Sequence, residues 1–209
     1  IHVSFGMVSV KDDLLGTSAK LSTREGNVIF LNDVLEKSVE KTLEIINERN
    51  NTLENKETVA KEVGIGAVIF QELFNTRIKD YSFDWNNVLN FEGETGPYVQ
   101  YSAARAYSIL EKNDFYSKIN NIDISKVSNY EMNTDELTLV KSIYKFEDIL
   151  LDSAKKYEPS ILARYITEVA KLFNKFYNSC PINNQKGDIK EFRLVLTYCS
   201  RLLIEIGLG

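Results

Sequence analysis

The chain has 209 residues, enough for one large domain or two small ones, and its 44% hydrophobic and 11% aromatic content is ample for a core. Its formal net charge of −5 argues against a generic basic nucleic-acid binder, and a single histidine, His2, excludes a His-based metal cluster or a Ser-His-Asp triad. No apolar run approaches the roughly 18 residues of a membrane span and no signal-peptide pattern is present, so a cytoplasmic chain with no membrane contact and no metal site is expected.

Ile1–Val10 alternates apolar residues and reads as a strand of a larger sheet. The chain opens without methionine and its last run, RLLIEIGLG, stops on an apolar helix, so an excised fragment is expected, with Val3–Val10 as an open edge. The loop Lys20–Gly26 (KLSTREG) follows. Asn32-Asp33 offers a cap to a helix with apolar residues at Val34, Leu35, Val39, Leu43 and Ile46, ended by the polar run Asn47–Lys56. A second helix is predicted from about Glu57 to Thr76, weakened in its middle by Gly64 and Gly66.

Asp80–Trp85 reads as an aromatic connector and Glu92–Pro97 as a turn, where Thr95 caps and Pro97 starts the helix Tyr98–Lys112. Asn113–Asn133 is polar and irregular. Asn133 with Glu136 makes a capping box for a helix towards Leu151. Pro159 suits a first turn, with a broad apolar face of Ile161, Leu162, Tyr165, Ile166, Val169, Leu172, Phe173 and Phe176. Asp188 and Glu191 repeat the capping pattern before a last helix that buries Phe192, Val195, Tyr198, Leu202 and Leu203. Cys180 and Cys199 read as unpaired, partly buried thiols. From Tyr98 onward the pattern is an up-and-down helical bundle.

Charge is uneven. Residues 159–209 hold seven Lys/Arg and four acids, a formal +3, which leaves −8 on the other 158 residues. That suits a protein meeting RNA on one face, and equally an ordinary solvated surface. The Lys20–Gly26 loop, with Gly16 before it, can wrap a polyphosphate and stabilise charge as pyrophosphate leaves; alone it reads equally as a solvated basic turn.

Three blocks carry a resemblance. KLSTREGN is similar to the KMSKS signature of class I aminoacyl-tRNA synthetases, which the arginyl branch writes KMSTRKGN. Lys20 stands at the first lysine, Leu21 at the methionine, Ser22 at the serine and Thr23 at the second lysine, with Arg24 following. His2–Val8 is similar to the strand leading into that loop. Glu25 departs from the branch's lysine, and Lys11–Ala19 is longer than the expected turn. The string FDW, then F-x-G-x-TGPY-x-QY-x-x-AR, resembles the junction between the arginyl-tRNA synthetase catalytic core and its helical anticodon-binding domain; it runs from Phe83 to Arg105. Pro159–Cys180 resembles the family's anticodon-domain helix, with Leu162-Ala163-Arg164-Tyr165 at the LARY core.

The resemblance implies a mainly α fold: a helical anticodon-binding bundle, residues 96–209, after a small α/β remnant of a Rossmann-type catalytic domain, residues 1–95. It implies part of an arginine–tRNA ligase, with L-arginine, ATP with Mg2+ and tRNA-Arg as partners and a monomeric full-length enzyme. Lys20, Leu21 and Ser22 would hold ATP, and Lys20, Ser22, Thr23 and Arg24 would act in catalysis. Tyr98, Gln100, Tyr101, Asn174, Lys175 and Tyr177 would meet tRNA, since single-stranded loops are read by stacking on aromatics and by polar side chains. Tyr98 and Tyr101 read equally as one packed face, and Tyr177 as closing the bundle. The family's His-Ile-Gly-His signature and arginine pocket would lie upstream of Ile1, so the fragment alone should be inactive and need no cofactor. The alternatives are a stand-alone tRNA-binding module without ligase activity and a structural bundle with no RNA affinity.

Overall fold

Helix dominates the computed structural model, which describes residues 2–10, 29–122 and 130–209. The chain divides into two compact units, the first residues 1–98 with 157–160, the second residues 99–156 with 161–209.

In the first unit, β1 (Val8–Val10) pairs in parallel with β2 (Tyr81–Phe83), Val8 opposite Tyr81 and Val10 opposite Phe83. The predicted strand is therefore shorter than Val3–Val10, and the Asp80–Trp85 connector holds a strand and the start of the one-turn helix α3 (Trp85–Val88). Three paired residues leave too little alternation for the period to reveal. Between the strands stand α1 (Leu31–Arg49) and α2 (Lys56–Phe74). Helix α1 starts one residue before Asn32, after Phe30, with no side-chain cap; Asp33 in the first turn and Arg49 in the last complement the helix dipole instead.

The residues that α1 buries fully are Ser38 and Thr42, while Val34, Leu35, Val39, Leu43 and Ile46 are half-buried. Both hydroxyls satisfy themselves on their own helix, Ser38 on Leu35 O at 2.6 Å and Thr42 on Ser38 O at 2.7 Å. They face Gly64 of α2, where a Cβ would stand 2.7 Å from Ser38 O and 2.9 Å from Thr42 Oγ1. Gly64 thus lets two backbones approach, and α2 runs through it unbroken. Ala67, Val68, Phe83, Val88 and Leu89 form the core beneath, with Trp85 edge-on to Phe83 at 4.9 Å.

The second unit is helical among its described residues. Helix α4 (Gly96–Lys112) starts where Thr95 Oγ1 accepts the Tyr98 amide at 3.2 Å, as its sequence predicts. The polar stretch after it contains α5 (Phe115–Lys118) and a 3-10 turn, Ile119–Asn121, because Phe115 is fully buried and anchors it. The Asn133–Glu136 capping box is present and opens α6 (Thr134–Tyr144); a separate helix, α7 (Phe146–Lys156), follows. Helix α8 (Pro159–Ser179) buries Tyr165, Ile166, Val169, Phe173 and Phe176 as the periodicity predicts. Helix α9 (Gly187–Leu208) differs from expectation. Its N-cap is Lys186, without a side-chain cap, and its buried face is Arg193, Leu194, Leu196, Thr197, Ser200, Leu203 and Ile204, with Leu202 exposed. An arginine and two hydroxyl residues turned inward hide that face from an apolar count.

Candidate functional site

Helices α4 and α8 bring together a cluster around Arg105. Tyr101 and Arg105 are one turn apart on α4, as are Asn174 and Tyr177 on α8. Arg105 Nη1 donates to Asn174 Oδ1 at 2.6 Å, and Nη2 to Tyr101 Oη at 3.3 Å. The guanidinium carbon lies 4.8 Å from the Tyr101 ring centroid and 5.4 Å from that of Tyr177. Asn174 is itself fixed: its Nδ2 donates to Oγ of the buried Ser102 at 2.7 Å, which sets its oxygen towards the arginine. Tyr101 is 50% and Tyr177 37% exposed.

Among the described residues no carboxylate pairs with Arg105, whereas Arg201 is held by Glu205 at 2.7 Å and Arg193 by Glu136 at 2.7 Å. A half-buried guanidinium fixed between two half-open aromatic rings offers stacking faces and a cation to the same ligand. That combination fits an unpaired base with its phosphate.

Other expected residues sit differently. Lys175 lies outside the cluster, ion-paired with Asp135 at 2.8 Å, and Ser179 also donates to that carboxylate at 2.7 Å. The Lys175 and Ser179 hydrogen bonds pull Asp135 below the usual carboxylate range against its slight desolvation, and the same pair raises Lys175. Tyr98 and Gln100 are half-buried, and the Gln100 Oε1 is sealed from solvent with no hydrogen-bond partner among the described residues. Lys20, Leu21, Ser22, Thr23 and Arg24 lie outside the described residues. Among the described residues no three His, Cys, Asp or Glu gather as metal ligands, and no helix is long and apolar enough to cross a membrane.

Two residues escaped the sequence reading. Arg105 had a signal, since it falls four residues after Tyr101 and so on the same helical face. Arg193 had none. It reaches Glu136, which also accepts the Asn133 amide at 2.8 Å and hydrogen bonds from Tyr130 at 3.1 and 3.2 Å. Burial works against the charged form of Arg193, but hydrogen bonds to Glu136 and Tyr130 and the charge of Glu136 hold it above its ordinary range.

Residues 99–209 match the DALR anticodon binding domain, and residues 1–85 match the catalytic domain of class I tRNA synthetases (R). Over its whole length the chain is 50% identical to an arginine–tRNA ligase of Halothermothrix orenii and 51% identical to one of Clostridium kluyveri. It spans 35% of the length of each of these relatives. Among solved structures, Thermus thermophilus arginyl-tRNA synthetase superposes with a TM-score of 0.79 at 27% identity, covering 96% of this chain and 32% of that one. A Plasmodium falciparum arginyl-tRNA synthetase shares the fold, with a TM-score of 0.71 at 23% identity over 87% of this chain and 32% of that one. One family thus accounts for both ends of the sequence and for its mainly helical fold with a small parallel sheet: the chain belongs to the arginyl-tRNA synthetases.

Proposed function

We propose that this chain is the part of an arginine–tRNA ligase that carries the phosphate loop and docks the anticodon. In the full-length enzyme the arginine carboxylate attacks the α-phosphorus of ATP, pyrophosphate leaves, and the arginyl group passes from the adenylate to a terminal hydroxyl of tRNA-Arg as AMP leaves. Residues 1–95 close the catalytic domain and residues 96–209 form the anticodon domain. Lys20, Leu21 and Ser22, with Thr23 and Arg24, face the ATP phosphates, and Mg2+ accompanies the nucleotide. Tyr98, Gln100, Tyr101, Asn174, Lys175 and Tyr177 serve tRNA, with Arg105 at their centre. The enzyme is a cytoplasmic monomer, and this chain alone is inactive because it lacks a His-Ile-Gly-His signature.

The observation that supports docking most is Arg105 held between Tyr101 and Tyr177 with no carboxylate paired to it among the described residues. The test is ATP–pyrophosphate exchange that depends on arginine and tRNA-Arg. The full-length protein should catalyse it and residues 1–209 alone should not. Exchange by the isolated chain, or none by the full-length protein, overturns the reading.

A further inference from the structure

Arginine only donates hydrogen bonds, so the aim of the Arg105 guanidinium is set by the acceptors that hold it. Its Nη1 meets Asn174 Oδ1 at 2.6 Å and its Nη2 the Tyr101 hydroxyl at 3.3 Å. Among the described residues these contacts engage two of its five N–H groups and leave three for a ligand. The closer acceptor is an amide, and an amide can face either way. Its donor-only neighbour settles the orientation at one end, because only the oxygen can meet a guanidinium.

A second residue settles it at the other end. The Asn174 Nδ2 donates to Ser102 Oγ at 2.7 Å. Ser102 is fully buried and stands one turn before Arg105 on α4, so the amide is tied to the core rather than to the surface. Ser102, Asn174 and Arg105 thus form a chain of hydrogen bonds from the interior to a half-buried cation. All these residues belong to the second unit.

The acceptor type has a chemical consequence. An amide orients a guanidinium without neutralising it, whereas a carboxylate in the same place would accept equally well and form an ion pair. The same unit uses carboxylates elsewhere, Glu136 for Arg193 and Glu205 for Arg201, each at 2.7 Å. We propose that Ser102 and Asn174 are positioning residues for Arg105, which fix the plane of its guanidinium while leaving it charged, and so make the cluster select a base edge rather than any phosphate. A guanidinium held in its plane meets two adjacent acceptors on one edge of an unpaired base. One that swings still attracts phosphate by charge but loses the alignment that an edge requires. The inference rests on the docking reading given above.

The test measures binding of tRNA-Arg, and of the same tRNA altered at its central anticodon base, to the full-length ligase at two salt concentrations. The variants are Ser102→Ala, Asn174→Asp, Arg105→Ala and the double variant Ser102→Ala with Arg105→Ala, each read per folded molecule. Ser102→Ala should reduce the preference for the unaltered tRNA about threefold to tenfold, the worth of one hydrogen bond, and leave the altered tRNA bound as before. Asn174→Asp keeps the acceptor and should keep the fold. It should nevertheless weaken both tRNAs about tenfold or more and lower the salt dependence by about one charge, because the new carboxylate takes up the cation. In the Arg105→Ala background Ser102→Ala should have no further effect on binding, since it acts through the guanidinium. The proposal is overturned by Ser102→Ala that leaves discrimination unchanged, or by Asn174→Asp that binds as the unmodified ligase does. It is equally overturned by a Ser102→Ala effect that persists without Arg105, the mark of a hydroxyl that merely holds α4 to α8. Arg105→Ala that binds both tRNAs normally would sink the docking reading itself, and the proposal with it.

Discussion

Arg105 and Arg193 are the same side chain in two regions of one helical unit. Arg193, 9% exposed by side chain, is closed in by Glu136, Tyr130 and the Pro181 carbonyl, and Glu136 is fully buried. Arg105 is held by an amide oxygen and two aromatic faces, and among the described residues no carboxylate pairs with it. The first spends its charge inside the protein; the second, on the function proposed above, keeps its charge for a partner. Residue type therefore says little about role until the counter-charge is located, and four predictions probe that distinction.

The largest effect belongs to the buried region. Glu136→Gln or Arg193→Met leaves a charge without its partner in a dry site, a change that costs about 3–5 kcal/mol, and denaturant unfolding of the chain should report it. The tRNA affinity of the molecules that remain folded should not move. Replacing both residues by apolar ones should recover part of the loss. It should still fall short by about 1 kcal/mol, because Glu136 also completes the capping box.

The surface region should behave in the opposite way. Arg105→Ala or Tyr177→Ala should weaken tRNA binding by about 1–3 kcal/mol each, the scale of one lost stacking platform, with unfolding changed by about 1 kcal/mol, well short of the buried pair. Tyr177→Phe keeps the ring and should bind nearly as well. An Arg105→Ala variant that unfolds readily yet binds tRNA normally would erase the contrast between the two arginines.

Smaller effects sharpen the boundary between core and surface. Tyr165 donates its hydroxyl to Ser142 O at 2.7 Å, and burial pushes its pKa from 10.0 up to about 12. The folded state holds this proton more tightly than the unfolded chain does. Its contribution is therefore complete below pH 10 and lost as pH rises towards 12. Tyr165→Phe should cost about 1 kcal/mol at neutral pH and flatten the alkaline limb of a stability–pH curve. The smallest effect concerns Lys175. The Asp135 carboxylate, held low by Lys175 and Ser179, contributes stability above its unfolded pKa and loses it as pH falls through the lower folded value. Lys175→Ala should reduce that acid-side slope, leaving the part that Ser179 contributes, and weaken tRNA binding in a salt-dependent manner that ignores base identity.

Parts of this picture were legible in the sequence, each for a local reason. The Asn133–Glu136 box, the Thr95 cap and the α8 face depend on spacings of three or four residues, which a one-dimensional reading preserves. The family resemblance held because dense strings such as TGPYVQY survive as strings. What was hidden depends on contacts between distant segments. The β1–β2 pair spans more than seventy residues, the Arg193–Glu136 pair spans 57, and the α1 crossing buries hydroxyls against a glycine rather than leucines against each other. Arg105 lay between these cases. Its position was quoted with the motif, but the cluster around it appears only when α8 brings Asn174 and Tyr177 to it. The Lys20–Arg24 loop, the strongest chemical motif, falls outside the described residues and stays a reading of sequence.

The central claim is that the Arg105 cluster reads an anticodon. Arginine codons share a central G, so every cognate anticodon has a central C. The direct measurement is a titration of this chain, and of its Arg105→Ala variant, with tRNA-Arg and with the same tRNA altered at that central base, at two salt concentrations. The account predicts that the unmodified chain distinguishes the two tRNAs by about 1–3 kcal/mol, by analogy with one mismatched base in a specific site. That difference should survive added salt and vanish in Arg105→Ala. Equal binding of both tRNAs that weakens with salt would mean that only backbone electrostatics act here, and it would contradict the claim.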